Sequence, residues 1–149
     1  MDQHLESDRA TVRNAVIAAG LETLSFAQPQ PHVGVLTLNR PEVANAINTR
    51  MAEELLQVFT SLLHDSAGLR CLVITGRGAK AFCAGGDLKQ RNTMTDAQWA
   101  AQHAVMERAV VAMLECPIPI IAAVNGAAVG GGCAGSRSEE RRVGKECRS

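Results

Sequence analysis

Two short segments hold the residues best suited to chemistry. The first runs Ala81-Phe82-Cys83-Ala84-Gly85-Gly86-Asp87-Leu88-Lys89, just after an apolar run ending at Thr75 and the turn Gly76-Arg77-Gly78. The second runs Val124-Asn125-Gly126-Ala127-Ala128-Val129-Gly130-Gly131-Gly132-Cys133, directly after the apolar run Ile118–Val124. Both put small residues where a chain leaves a strand and begins a helix. Backbone N–H groups at such places lack helical partners, lie at the positive end of the helix dipole and have no side chain in the way. Two such donors converging on one oxygen make an oxyanion hole, and losing one donor typically costs about 2.7–4 kcal/mol of transition-state stabilisation. Taken singly, each glycine also fits an ordinary turn or packing position.

Other chemistries fit the residues poorly. Gly130-Gly131-Gly132-Cys133-Ala134-Gly135 has the formal GxGxxG spacing of a dinucleotide site. Five residues, Asn125–Val129, separate it from the strand, whereas that site needs a tight turn. Thr75-Gly-Arg-Gly-Ala-Lys80 lacks the paired glycines and the Ser/Thr of a P-loop. The five cysteines (Cys71, Cys83, Cys116, Cys133, Cys147) show no CxxC or Cys/His ligand spacing. They read as buried, reduced small hydrophobes, with neither a disulfide framework nor a metal site expected.

The elements that must carry the two segments follow from the apolar pattern. Residues 1–21 read as a helical extension with Gly20 as its C-cap. Leu24–Ala27 and Val33–Asn39 read as strands joined by a Gln-Pro-Gln-Pro turn. Asn48 or Thr49 can cap a helix bearing Met51, Leu55, Val58, Phe59 and Leu62 at helical spacing. Leu69–Thr75 and Ile118–Val124 read as buried strands. Between them Thr95 opens a helix whose stripe Trp99, His103, Met106, Val110 and Met113 is expected to pack in the core, with Pro117 ending it. His103 reads as a core or interface histidine, and Asp87 as a cap of whatever helix follows it.

Length and charge bound the class. A chain of 149 residues that is 46% hydrophobic can bury one core, and no apolar run reaches the roughly 20 residues of a membrane span. The formal charge is zero, so no basic field favours nucleic acid or anionic membrane. Asp2, Glu6 and Asp8 disfavour a secretory or transit leader, and a cytoplasmic protein is expected. Composition changes after Ser136: residues 137–149 carry eight charges, net +2, which leaves −2 for residues 1–136. The string RSEERRVGKECRS resembles one reading frame of a sequencing-library adapter. It is treated as an artefactual tail, expected to be disordered or only locally helical.

Asn39-Arg40-Pro41-Glu42 with Asn45-Ala46, then AFCAGGDLK, then AAVNGAAVGGGC, resemble the crotonase (enoyl-CoA hydratase/isomerase) family in order, type and spacing. The match covers about residues 22 to 134. It implies an α/β fold, a crotonase-like spiral of ββα units, here truncated within 22–136. It also implies an enzyme that stabilises a thioester enolate, with oxyanion donors at Gly86 and Gly131. By the same resemblance Val43, Ala44, Ala84, Asp87, Leu88 and Lys89 line the coenzyme A path. The family uses no separate cofactor, since coenzyme A arrives on the acyl-CoA substrate, and the parent is expected to be a homotrimer or hexamer. Ala134 stands where good hydratases carry their first Glu. That departure leaves room for a CoA-thioester hydrolase on the same scaffold. The run Asp87-Leu88-Lys89-Gln90-Arg91-Asn92-Thr93-Met94 is similar to a pattern in methylglutaconyl-CoA-type hydratases, some of which bind RNA. A non-catalytic RNA-binding or interaction protein is therefore the remaining alternative.

Overall fold

The structure, a computed structural model, describes residues 17–66, 68–130 and 143–144. Alternating and continuous apolar runs become the strands of one five-stranded sheet. Strand β1 (Leu24–Gln30) pairs antiparallel with β2 (Val33–Leu38). Parallel to β2 lies β3 (Cys71–Gly76), and parallel to β3 lies β5 (Ile120–Val124). In β2 the alternation puts Gly34, Leu36 and Leu38 inward, as period two requires. Strand β1 runs further than its apolar residues, through Pro29. The chain tolerates this proline because β1 is an edge strand and its register shifts between Ala27 and Gln30. The turn therefore falls at Pro31-His32, with His32 left-handed at φ 66°.

Helix α1 (Thr49–His64) starts where the Asn48 side chain accepts the Met51 N–H at 2.9 Å. Its buried face holds Met51, Leu55, Val58, Phe59 and Leu62, which meet Leu36, Leu38 and Leu72 of the sheet in one core. Burying each such side chain contributes about 1.5–3 kcal/mol. Glu54 shares that apolar face and is 1% exposed. Its carboxylate accepts the N–H groups of Glu22, Thr23 and Leu24 and the Thr23 hydroxyl, and it pairs with Arg50 at 2.9 Å. A carboxylate inside the core thus ties the start of β1 to α1. Upstream, helical residues Ile17 and Ala18 end at Gly20, left-handed at φ 75° as a C-cap requires. The rest of the expected 1–21 helix lies outside the described residues.

Short helix α2 (Leu88–Arg91) leads to α3 (Asp96–Leu114), which Thr95 opens with a capping box closed by Gln98. The stripe expected to pack α3 is only partly inward. Met106 and Met113 lie against the core, but the fully buried residues are Ala109 and Ala112. Trp99 and His103 face solvent, stacked on each other at 5.2 Å, with Arg91 over the indole at 4.3 Å and Glu107 3.2 Å from His103. Helix α3 packs on α1, its buried residues are the small Ala109 and Ala112, and the large rings turn outward.

A second, two-stranded sheet pairs β4 (Ala81–Cys83) parallel with β6 (Ala127–Ala128). The apolar pattern predicted neither strand. Gly126 makes this pairing possible: a Cβ there would sit 2.7 Å from the Lys80 carbonyl. The charged tail departs from expectation at two residues. Val143 and Gly144 form strand β7, parallel to Ala123 and Val124 of β5. The open edge of β5 offers unpaired backbone groups, and an extended pair of residues satisfies them. The other residues of 137–149 lie outside the described ones. No helix among the described residues is long and apolar enough to cross a membrane.

Candidate functional site

Strands β4 and β6 leave their small sheet side by side, so the two glycine-rich loops begin as neighbours. After β4, Gly85 turns the chain at φ 84°, a conformation that favours glycine. Gly86 then forms a single parallel bridge with Ile47. In that bridge the Ile47 N–H donates to Gly85 O at 2.7 Å, and the Asp87 N–H donates to Ile47 O at 2.9 Å. Both bonds belong to the neighbours of Gly86, so its own N–H points to the opposite side. Among the described residues that N–H has no hydrogen-bond partner. A Cβ placed on Gly86 would meet nothing within 4 Å of them either. Neither backbone strain nor protein packing among these residues calls for glycine here. Among the described residues, an exposed donor without a partner remains.

Asp87 is fixed from two sides. Its Oδ1 accepts the Gln90 N–H at 3.1 Å, capping α2, and its Oδ2 lies 3.0 Å from Arg40 Nη1. Burial on its own raises the Asp87 pKa. The Gln90 N–H, the Arg40 hydrogen bond and charge, and the Lys89 N–H outweigh it and hold the carboxyl below its ordinary value of 3.8. The expected cap is therefore real, and its partner Arg40 is a residue to which sequence reasoning gave no role.

Asn45 is the hub of the turn that follows β2. It is fully buried and left-handed at φ 55°, next to Ala44 at the same angle. Its side chain accepts the Arg40 N–H at 2.9 Å and donates to Arg77 O and Ala81 O, each at 3.0 Å. Asn125 grips the same connector from the other loop, accepting the Gly76 N–H at 3.0 Å and donating to Gly78 O at 2.6 Å. The two asparagines thus fix both loops to the segment between β3 and β4. Their place in quoted motifs was the one available signal.

The candidates named by sequence fall into three groups. Ala44, Ala84, Gly86 and Asp87 come together: the Ala84 N–H donates to Ala44 O at 3.0 Å, and half-buried Val43 precedes Ala44 in the short 3₁₀ turn Pro41–Val43. Leu88 and Lys89 lie exposed on α2, with Leu88 71% accessible. Gly131 and Ala134 lie outside the described residues, but the preceding Gly130 comes against Gly85, a Cβ on it falling 3.8 Å from Gly85 Cα. Cys83 is buried beneath this junction, and burial raises its thiol pKa despite the Gly85 N–H donated to its sulfur. Among the described residues no group of His, Cys, Asp and Glu gathers as a metal site.

Residues 28–135 match the profile of the enoyl-CoA hydratase/isomerase family. The chain is 36% identical to the short-chain-enoyl-CoA hydratase of Clostridium acetobutylicum over 112 residues, covering 74% of this chain and 42% of that protein. It is 37% identical over 101 residues to the (E)-benzylidenesuccinyl-CoA hydratase of Thauera aromatica, covering 68% of this chain and 39% of that protein. The crystal structure of an enoyl-CoA hydratase from Bacillus anthracis superposes with a TM-score of 0.74 at 36% identity, covering 78% of this chain and 45% of that one. The chain thus spans about two fifths of the length of these curated relatives.

Proposed function

This chain belongs to the enoyl-CoA hydratase/isomerase family, and from that premise we propose that its two glycine loops form the thioester-binding part of an acyl-CoA enzyme. The Gly86 and Gly131 N–H groups hold the thioester oxygen while negative charge builds on it. Val43, Ala44, Ala84, Asp87, Leu88 and Lys89 border the path of coenzyme A, which the substrate itself carries. Addition of water across the double bond next to a thioester places charge on that oxygen before a proton reaches the α carbon. Donors preorganised there lower the barrier. The observation that carries the reading is the Gly86 N–H, which has no hydrogen-bond partner among the described residues, at a position where a Cβ would meet none of them within 4 Å. Homotrimers or hexamers and a cytoplasmic setting complete the proposal for the whole protein.

Binding is the appropriate test. A donor pair alone leaves water unactivated, and general acid and base groups supply the remaining step. The 149-residue chain is therefore expected to hydrate crotonyl-CoA no faster than a buffer blank. With butyryl-CoA at millimolar concentration, the Gly86 amide resonance should move, whereas free coenzyme A should leave it in place. A Gly86 resonance indifferent to the thioester would move the donor assignment elsewhere.

A further inference from the structure

The hydrogen bonds around Gly86 form a clasp with one closed side. Gly85 O and the Asp87 N–H both bond to Ile47, and the Gly86 N–H, without a partner among the described residues, projects from the other side. A single nitrogen spans the two segments at the end of this clasp. Arg40 Nη1 donates to Ala46 O at 2.6 Å and to Asp87 Oδ2 at 3.0 Å. Ala46 immediately precedes Ile47, and Asp87 immediately follows Gly86. The base of Arg40 is itself anchored, because its N–H donates to Asn45 Oδ1 and its carbonyl accepts the Asn45 N–H, each at 2.9 Å. Only 16% of the Arg40 side chain and 10% of the Asp87 side chain are exposed, so water and salt screen the pair less than a surface pair.

We infer that Arg40 is a positioning residue: by tying Ala46 to Asp87 it holds the Ile47 bridge shut and sets the direction of the Gly86 N–H. The inference rests on the reading of Gly86 as an oxyanion donor. Direction matters because a donor works only when it reaches the place where the charged oxygen will sit, about 2.7–3.1 Å away. A peptide free to rotate would spend its donor on water. Arginine suits the task because its guanidinium is always charged and Nη1 carries two N–H donors, here spent on the two acceptors.

Amide spectroscopy and hydrogen exchange on the full 149-residue chain test this without reference to activity. Arg40→Met keeps the apolar stem and removes the donors. It should move the Gly86 resonance and speed exchange at the Ile47 and Asp87 amides at least about tenfold, since both guanidinium hydrogen bonds, to Ala46 O and Asp87, are lost. The Leu72 amide, bonded to Pro119 O in the main sheet, should exchange as before. Arg40→Lys should recover most of the protection. Asp87→Asn, which keeps the helix cap but loses the charge, should shift the same amides in the same direction and serves if Arg40→Met does not fold. An unmoved Gly86 resonance with unchanged exchange at Ile47 and Asp87 would overturn the inference. So would an equal rise at Leu72, which would make Arg40 a general stabiliser. If the parent's Gly86 amide ignores butyryl-CoA while the exchange pattern holds, the donor assignment has failed, and Arg40 loses its part in the reaction with it.

Discussion

Asp87 divides its two oxygens between a helix end and a cation, and that division gives it a measurable pH signature. Its folded pKa lies below 3.8. The stabilisation it contributes is therefore present above that value and lost as pH falls through the folded pKa, because the unfolded chain then binds the proton more readily. Unfolding of the parent measured from pH 6 to pH 2 should show this loss below about pH 4. Asp87→Asn should be less stable at neutral pH and should lack that component of the acid dependence. Identical pH profiles for the two proteins would contradict the assignment. The Asp87 cap was legible because a capping acid is a local signal, whereas Gly86 was singled out by the family resemblance of its motif. Arg40, Asn45 and Asn125 were visible only as letters in a motif. The bonds that fix them to distant segments join positions 32 to 49 residues apart, and no periodicity in the chain records such a bond.

At the scale of elements, α1 is held by apolar burial and by one carboxylate inside it. Glu54 stands three residues after Met51 and four before Val58, on the apolar face, a placement that was readable in principle as a buried acid. Replacing it with alanine strands the N–H groups of Glu22, Thr23 and Leu24 at the start of β1. At about 1 kcal/mol or more for each unsatisfied donor, Glu54→Ala should lose roughly 3 kcal/mol, with Glu54→Gln falling between it and the parent. Urea unfolding reads this directly, and an unchanged midpoint would show that water satisfies those groups. Strands β1, β2, β3 and β5 and both long helices were legible because each has a strong apolar pattern. Strands β4 and β6 were not, being three and two residues long and positioned by close glycine contacts. The inward face of α3 was misread for a related reason. Its apolar residues surround the helix, so no single stripe marks the inward face, and the residues it buries are Ala109 and Ala112.

For the whole molecule, the charged segment 137–149 contributes a strand of two residues to the edge of β5. Its few backbone bonds are worth about 1 kcal/mol in sum against the entropy of ordering them. A chain ending at residue 136 should therefore unfold within about that margin of the full chain, with faster exchange confined to the edge of β5. A large loss of stability would make the segment a structural element in its own right. The clasp around Gly86 has a further consequence in time. Arg40 and Asp87 are 47 positions apart. At ribosomal rates of about 5–20 residues per second, Arg40 exists for roughly 2–9 seconds before its carboxylate has been synthesised. Asn125 follows Gly76 by a similar interval of 49 positions. Throughout that delay Arg40 is a cation without its anion, so the nascent chain must keep it hydrated until the loop that carries Asp87 is made. The proposed thioester site therefore cannot assemble until both glycine loops are made, and a ribosome stalled before Gly130 would present strands β1 to β6 and both long helices with only one of those loops complete.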